Sequence, residues 1–393
     1  MNLVTVWMVL ILLIPSVLVV PSLGAIGTPA NLWALGLFGV WVTSRLMGRT
    51  HDHLGFQWAY PAMGVYLAVN VMSYMAAHAR GIPGGEALAA DRWMLGTLGY
   101  IGVALVVADG LDQRDQIGIL LRRFTMIVAV EAALGAIQFF TSFEPIEHLK
   151  PPGLVLNDGG ILTIITSFSD FDRISSTAGH PIEFGVVMAG ALPIALHYAT
   201  HGPNRRALVV RRITVALIGV GVPISISRSS TIALFFGLAL MATAWSRRQL
   251  LQAAFVGVIS VFAFRAAAPS LIGNIIALFT GLGSDDSISA RTSDYDAAFD
   301  FVARDPWFGR GPNTFDPFDY LLLDNQLLKT LIELGVVGLL GLLVMIVMGM
   351  NLGRAVLSRA VDDDARHLGQ TLFASIAVLA VTLAPWATAA AMR

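Results

Sequence analysis

The chain contains no cysteine and carries little charge for its length. Of its 393 residues, 13% are charged and 56% are hydrophobic, whereas about a quarter of the residues of a soluble domain are charged. The missing cysteine excludes disulfide bonds, thiolate nucleophiles and cysteine-based metal sites. The net charge of -1 provides no basic field, so we expect no nucleic-acid partner. The shortage of charge and the mean hydropathy of +0.72 predict a polytopic membrane protein.

Long apolar runs recur along the chain. A helix needs about 20 mostly apolar residues to cross the hydrocarbon of a bilayer. Eleven segments approach this length, near 3–23, 30–44, 57–77, 93–110, 124–143, 182–200, 213–227, 230–245, 250–268, 328–350 and 369–390. The first segment lacks a basic flank and a cleavage site, so we expect a retained span. These segments predict an all-α polytopic membrane protein with about 11–12 transmembrane helices.

Arginine and lysine fall in alternate loops, which is the pattern of cytoplasmic loops. Arg205-Arg206 and Arg247-Arg248 are two examples. This pattern predicts a cytoplasmic N-terminus and places two long loops outside. The resulting division is N-terminal transmembrane helices (1–143), an outer loop with a hairpin (144–181), central transmembrane helices (182–268), a large outer loop with an amphipathic helix (269–327) and C-terminal transmembrane helices (328–393).

Both outer loops carry turn and helix signals. Asn157-Asp-Gly-Gly160 is typical of a hairpin turn between β-rich runs. In the second loop, Tyr295, Ala298, Phe299 and Val302 recur at helical spacing, which predicts an amphipathic helix on the membrane surface. We expect that helix to end before the Asp305-Pro306 pair.

Arg228 lies between two apolar runs, in ISISRSSTIALFF. An arginine within a membrane domain is costly and usually functional, and its planar fork can bond twice to a diphosphate. The alternative is a side chain that reaches the interface at a tight helical hairpin. The flanking Ser227, Ser229 and Ser230 make the site polar and favour the functional interpretation.

The stretch 324–335 (DNQLLKTLIELG) opens a long apolar run with two carboxylates. Asp324 is either the N-cap of the coming helix or a base, and Asn325 is the other candidate cap. Glu333 falls about opposite Asp324 on an unbroken helix. Lys329 precedes Glu333 by four residues, which favours a paired, structural glutamate. A further buried acid, Glu131, is either protonated and bonded within the bundle or lines a cavity.

The remaining charged residues of the outer loops are weaker candidates. We expect Arg173 and Arg291 to be solvated surface arginines. The glycines beside Arg310 predict a turn that suits an anion. His180 is a base or a turn residue. Asp170 and Asp172 match a D-x-D metal pattern, but matches of three residues are common by chance.

Taken in order, these elements resemble the O-antigen ligase and polymerase family of bacterial envelope enzymes. The matching parts lie between Arg173 and Gly341. They are Arg173 with Gly179-His-Pro181, Ser227-Arg228, Arg291, the stretch 305–311 (DPWFGRG), Asp324-Asn325, and Glu333-Leu-Gly335. The ligases of this family carry a histidine where this chain has Asp324, so the chain looks more like the polymerases.

The resemblance implies a C-type glycosyltransferase-like bundle in the bacterial cytoplasmic (inner) membrane, passing a glycan from a polyprenyl diphosphate carrier to a sugar hydroxyl. It implies inversion, no metal and no cofactor. Its partners would be the lipid-linked glycan, a glycan or lipid-glycan acceptor and membrane lipids. Asp324 would be the base, and Arg228 and Arg291 would hold the diphosphate. Supporting contacts would come from Arg173, Arg310, His180 and Asn325, with Glu333 and Lys329 in structural roles.

Three alternatives stay open at this point. One is ligase-type transfer to a lipid acceptor. A second is a lipid or solute transporter, in which Arg228, Glu131 and Glu333 line a path. The third is a metal-dependent transferase that uses Asp170 and Asp172. The polar residues gather in the two outer loops rather than in matching halves of a repeat, which favours an enzyme over a transporter.

Overall fold

The computed structural model describes residues 1–48, 59–111, 113–141, 143–157, 173–200, 205–280, 297–316, 319–321, 323 and 325–383. In these residues the chain is almost entirely helical. The helices are α1 (Asn2–Leu13), α2 (Pro29–Leu46), α3 (Ala59–Ala79), α4 (Gly84–Gly110), α5 (Arg114–Phe140), α6 (Pro145–His148), α7 (Pro181–Thr200), α8 (Arg205–Ile224), α9 (Arg228–Ala242), α10 (Arg247–Ala267), α11 (Pro269–Thr280), α12 (297–304), α13 (Gln326–Ser358) and α14 (Asp363–Thr382).

Five of the described helices are long and apolar enough to cross a membrane, namely α4, α7, α8, α10 and α13. Two shorter apolar helices, α1 and α9, accompany them. The protein is therefore an all-α polytopic membrane protein, as the composition predicts. The count of 11–12 spans stays a prediction.

The first apolar segment differs from the sequence prediction of a helix across 3–23. Helix α1 ends at Leu13, and Ile14 is extended, with φ -94° and ψ 122°. Pro15 is the physical reason, because the residue before a proline is disfavoured in the helical region. Beyond it, Leu18–Val19 forms strand β1, which pairs antiparallel with strand β2 (Val155–Leu156).

That pairing bears on the predicted hairpin at 157–160. Strand β2 lies just before the predicted turn, but its partner in the described structure is β1. Residues 158–172 lie outside the described residues, so the second arm of the hairpin stays a prediction.

The main hydrophobic core lies between α5, α7, α8 and α9. Helix α7 is its centre, with Phe184 and Met188 fully buried against residues of the neighbouring helices such as Ile218. Close approach needs small residues at the contacts. Gly221 meets that need in α8, because an added Cβ there would lie 2.6 Å from the Met188 side chain.

Contacts along α14 show which helix ends lie at the same level. Leu379 contacts Gly190 of α7, and Val378 contacts Gly237 of α9. Pro181 and Arg228 each lie nine residues before those glycines, so both helices begin about 14 Å above this level. Helix α13 pairs antiparallel with α14, since Gly353 faces Phe373 and Gly349 faces Ile376. The starts of α7, α9 and α13 therefore lie at one end of the bundle, called here the site end.

Candidate functional site

Arg228 is the first residue of α9 and follows a tight connection from α8. Ser227 caps the helix, its Oγ accepting the Ser230 backbone N–H at 3.3 Å and the Ser230 hydroxyl at 3.0 Å. The connection forces Ile226 to φ 44°, which is a strained conformation for a β-branched side chain. Arg228 therefore combines its own charge with the positive end of the α9 dipole, an arrangement that suits an anion.

The start of α7 packs directly against this connection. A Cβ added at Gly185 would lie 2.4 Å from the Ser230 Oγ and 2.5 Å from the Ser225 Oγ. No other residue fits so close a contact without displacing the serines. Gly185 therefore fixes the position of the α8–α9 connection relative to the segment that carries Arg173 and His180.

Residues 173–180 cross the site end as an ordered strap. Ser176 has φ 54°, its backbone N–H donates to Gln138 Oε1 at 2.8 Å, and its hydroxyl donates to the Glu131 carbonyl at 2.8 Å. Thr177 anchors the strap to α1 through the Leu12 carbonyl, at 2.6 Å. The strap holds Arg173 half-buried at the end of the bundle where α9 begins.

His180 occupies the entry to α7. Its Nδ1 accepts the backbone N–H of Ile182 at 3.1 Å, and helix α7 then begins at Pro181 as the sequence predicts. This is the turn role weighed for it in the sequence. A contact with substrate stays a prediction.

The second long loop docks onto a break in α13. Gly335 has φ 68° inside that helix, and Gly309 and Gly311 of the loop have φ 67° and 132°. Four backbone hydrogen bonds join the two segments: Arg310 N to Ile332 O (2.8 Å), Gly311 N to Glu333 O (2.8 Å), Val336 N to Pro306 O (2.8 Å) and Val337 N to Trp307 O (3.2 Å). The loop thus satisfies the polar groups that the helix break frees.

The contact between residues 306–311 and 332–337 is called here the glycine interlock. Its glycines touch each other directly. A Cβ on Gly309 would lie 2.5 Å from the Gly335 nitrogen, and a Cβ on Gly335 would lie 2.6 Å from the Gly309 nitrogen. Positive φ and the absence of space both require glycine here. The G-x-G and Glu-Leu-Gly motifs therefore act together as one structural joint.

Charged side chains reinforce the docked loop. Arg80 donates to the Gly309 carbonyl at 2.7 Å and forms an ion pair with Asp305. Arg310 donates to Glu86 Oε1 at 2.7 Å and lies over the ring of Tyr320, 4.2 Å from its centroid. These partners account for Arg310 structurally, and its predicted role as a substrate contact stays a prediction.

Helix α12 lies beneath this loop and ends at residue 304, before Asp305 as predicted. Its apolar face differs in one position from the sequence prediction, because Phe299 is 54% exposed. Ala298, Phe301 and Val302 instead pack on a small core with Phe315. In the described residues this helix therefore packs on the loop and α13 through the face that carries Phe301.

The start of α13 resolves the capping question raised by the sequence. Asn325 is the N-cap, and its Oδ1 accepts the backbone N–H groups of Leu327 and Leu328 at 3.1 and 3.2 Å. Because Asn325 fills the capping role, that role is not required of Asp324. Asp324 itself lies outside the described residues, as do Arg291, Asp170 and Asp172.

Glu333 is buried within the first turns of α13. Its Oε1 accepts the Phe315 backbone N–H at 3.3 Å and lies 3.7 Å from Lys329 Nζ. The predicted ion pair with Lys329 is present. The Glu333 backbone carbonyl also accepts the Ser73 hydroxyl at 3.0 Å, so this residue joins the loop, α3 and α13.

Strained backbone gathers at these segments. The described residues other than glycine with positive φ are Ser176, Ile226 and Asn313. They lie in the strap, in the α8–α9 connection and in the docked loop. Backbone strain that persists in a fold is typical of functional sites. This distribution marks the site end as the candidate functional region.

Sequence reasoning missed Arg80, Glu86 and Gln138, which hold the loop and the strap in place. The signal for Arg80 and Glu86 is their position in a short connection, 80–83, and in the first turn of α4, where charge is otherwise scarce. Among the described residues, no group of three or more histidine, aspartate or glutamate side chains is arranged to hold a metal ion. The metal-free prediction remains untested.

Comparison with known families matches one part of the chain. Residues 213–343, a third of the chain, match the family model described as O-antigen ligase. The matched range includes the α8–α9 connection, the docked loop and the broken helix α13. No curated protein matches the chain. These findings support an O-antigen ligase/polymerase-type role in the membrane, and residues 213–343 of the chain are similar to the O-antigen ligase family.

Proposed function

We propose that the protein transfers or polymerises a polyprenyl-diphosphate-linked glycan on the outer face of the bacterial cytoplasmic membrane. The sugar hydroxyl oxygen of an acceptor attacks the anomeric carbon of the donor. The bond from that carbon to the diphosphate oxygen breaks, and the lipid diphosphate leaves with the electron pair. The hydroxyl proton passes to a base on the protein. A single displacement of this kind inverts the anomeric centre.

Arg228 carries the proposal. It is half-buried at the N-terminus of α9, within the range that matches the O-antigen ligase family. A leaving diphosphate gains negative charge. A fixed guanidinium beside a helix N-terminus stabilises that charge without the reorganisation that water would need. Arg291 is proposed as the second diphosphate ligand on the strength of the family resemblance, and Arg173 lies on the strap at the same end.

Asp324 is proposed as the base. A carboxylate within hydrogen-bond reach of the acceptor hydroxyl can take its proton during attack. The cap of α13 is supplied by its neighbour Asn325, which supports a different role for Asp324. Because the lipid diphosphate is a good leaving group, the proposal needs no protein acid and no metal.

The test uses purified full-length protein with a polyprenyl-diphosphate oligosaccharide and gel analysis of product. Asp324→Asn should abolish product while the protein stays folded and membrane-inserted. Arg228→Lys keeps the charge but loses the fork, and kcat/KM should fall by about 10²-fold. Arg265→Ala is the matched control and should keep activity. It removes an exposed arginine from the last turn of α10.

The outcomes separate the candidate functions. Normal product from Asp324→Asn would exclude it as the base. Movement of the lipid across the bilayer without a new glycosidic bond would instead support a transporter. Loss of activity in EDTA, restored by a divalent cation, would favour a metal-dependent transferase.

A ligase reaction is the second candidate, because the matching family model is described as O-antigen ligase. The chemistry at the donor would be unchanged, and the acceptor would be a lipid-linked glycan rather than a growing chain. Assays with donor alone and with donor plus a lipid-glycan acceptor distinguish polymerisation from ligation. A ladder of products from donor alone indicates polymerisation, whereas a single addition that requires the acceptor indicates ligation.

A further inference from the structure

A second polar region lies at the end of the bundle opposite the site end. A cavity of about 370 Å³ opens there between the start of α5, the end of α7 and the start of α8. Arg122 and Arg211 line it, with Tyr198 and Thr214. Arg211 lies 13 residues before the end of α8, so the cavity is about 20 Å from the α8–α9 connection along that helix.

Three arginines line this cavity, and the third, Arg123, donates to Asn2 Oδ1 at 3.1 Å and to the Thr5 hydroxyl at 3.0 Å. The Cζ atoms of Arg122 and Arg211 lie 5.4 and 5.8 Å from the centroid of the Tyr198 ring. Tyr198 is buried, so the two guanidiniums are held against one fixed surface. None of the described residues that line the cavity carries a carboxylate. Like charges held together without an acidic group in the cavity favour the entry of an anion.

The mouth of the cavity is apolar. Met126 of α5 and Val210 of α8 line it and are 55% and 50% exposed. In a membrane, exposed apolar side chains of spanning helices contact acyl chains. A ligand that fills this cavity therefore has an anionic group for the arginines and hydrocarbon for the mouth, which a free phosphate ion lacks.

We infer that this cavity binds the phosphate group of an anionic phospholipid in the leaflet opposite the candidate active site. Basic pockets between membrane helices commonly take lipid headgroups, and an arginine fork can bond twice to a phosphate. Such a lipid would join α5, α7 and α8 at one end, and the same helices support the strap and the α8–α9 connection at the other. Binding to the folded state alone would raise stability with lipid concentration.

Native mass spectrometry of the purified full chain tests this inference. The probes are phosphatidylglycerol, phosphatidylcholine with the same acyl chains, and inorganic phosphate. We expect one retained phosphatidylglycerol per chain, at least about tenfold weaker retention of phosphatidylcholine, and no competition from millimolar phosphate. Equal retention of both lipids, or displacement of the lipid by phosphate, would overturn the inference.

Two variant pairs locate the site. Arg122→Ala with Arg211→Ala should remove the retained lipid, whereas Arg247→Ala with Arg248→Ala, which removes two arginines at the start of α10, should keep it. The second pair of variants, Val210→Trp and Val209→Trp, leaves the arginines of the cavity in place. Val210→Trp should block the mouth of the cavity. Val209 is equally exposed but lies outside the lining, so Val209→Trp should not block it. Retention that is the same within each pair would place the lipid elsewhere. This readout does not depend on catalysis, so it stands apart from the proposed function.

Discussion

The glycine interlock should be the point at which the docked loop is most easily released from the bundle. In Gly335→Ala, the new Cβ would lie 2.3 Å from the Trp307 carbonyl oxygen and 2.6 Å from the Gly309 nitrogen. Both neighbours are backbone, so neither can rotate away. The alanine must also hold φ 68°, the left-handed region. We expect the loop 306–311 to detach while the rest of α13 remains in the membrane.

The structure gives the size of the effect. The left-handed conformation costs about 1–2 kcal/mol for a residue with a Cβ. Loss of two to four of the backbone hydrogen bonds of the interlock adds about 1 kcal/mol each. The local opening should therefore become easier by about 3–6 kcal/mol. Since 1.4 kcal/mol is a factor of ten, this corresponds to about 10²–10⁴-fold faster amide exchange.

Hydrogen–deuterium exchange of the purified protein in detergent measures this directly. The four donor amides of the interlock, those of Arg310, Gly311, Val336 and Val337, should lose protection together. Gly36→Ala is the matched control, because a Cβ there meets nothing within 4 Å and its helix propensity improves. Unchanged exchange at the four amides in Gly335→Ala would refute the argument that this contact holds the loop.

Two further predictions concern ion pairs. The first is a double-mutant cycle of Glu86→Gln and Arg310→Lys, measured by thermal unfolding. Because this ion pair is half-buried, we expect a coupling free energy of about 1–3 kcal/mol. A value near zero would show that the pair does not hold the loop. Between α13 and α14, the hydrogen bond from Arg114 lowers the pKa of Asp362 to about 2. Its stabilising contribution should therefore be complete above about pH 4 and be lost as the pH falls toward 2, so the difference in Tm between wild type and Asp362→Asn should vanish in that window. A constant difference across it would contradict this assignment.

Much of the fold follows from local sequence signals. Composition and apolar run length predict the helical membrane bundle, Pro181 marks the start of α7, and Asn325 is one of the two caps that the sequence offers for α13. The Lys329–Glu333 pair follows from a spacing of four residues. Each of these signals lies within a few residues of the feature that it predicts, and no long-range contact is needed to interpret it.

The glycine interlock could not be predicted in this way. Gly309 and Gly335 are 26 residues apart, and each has an ordinary local explanation, a turn and a small residue in a membrane helix. Only the fold brings their backbones into contact. The end of α1 at Leu13 is a different case. Pro15 is a local signal for that end, but the apolar run continues past it and favours a longer span.

The interlock gives the G-x-G and Glu-Leu-Gly motifs a structural role. The interlock fixes the first turns of α13, from Gln326 to Leu334, to the docked loop, and with them the cap at Asn325. Loosening the interlock with Gly335→Ala should lower glycan transfer only to the extent that exchange at 306–311 rises. Asp324→Asn should instead abolish transfer with that protection intact. If both variants lose protection and activity in parallel, Asp324 supports the loop and the base lies elsewhere.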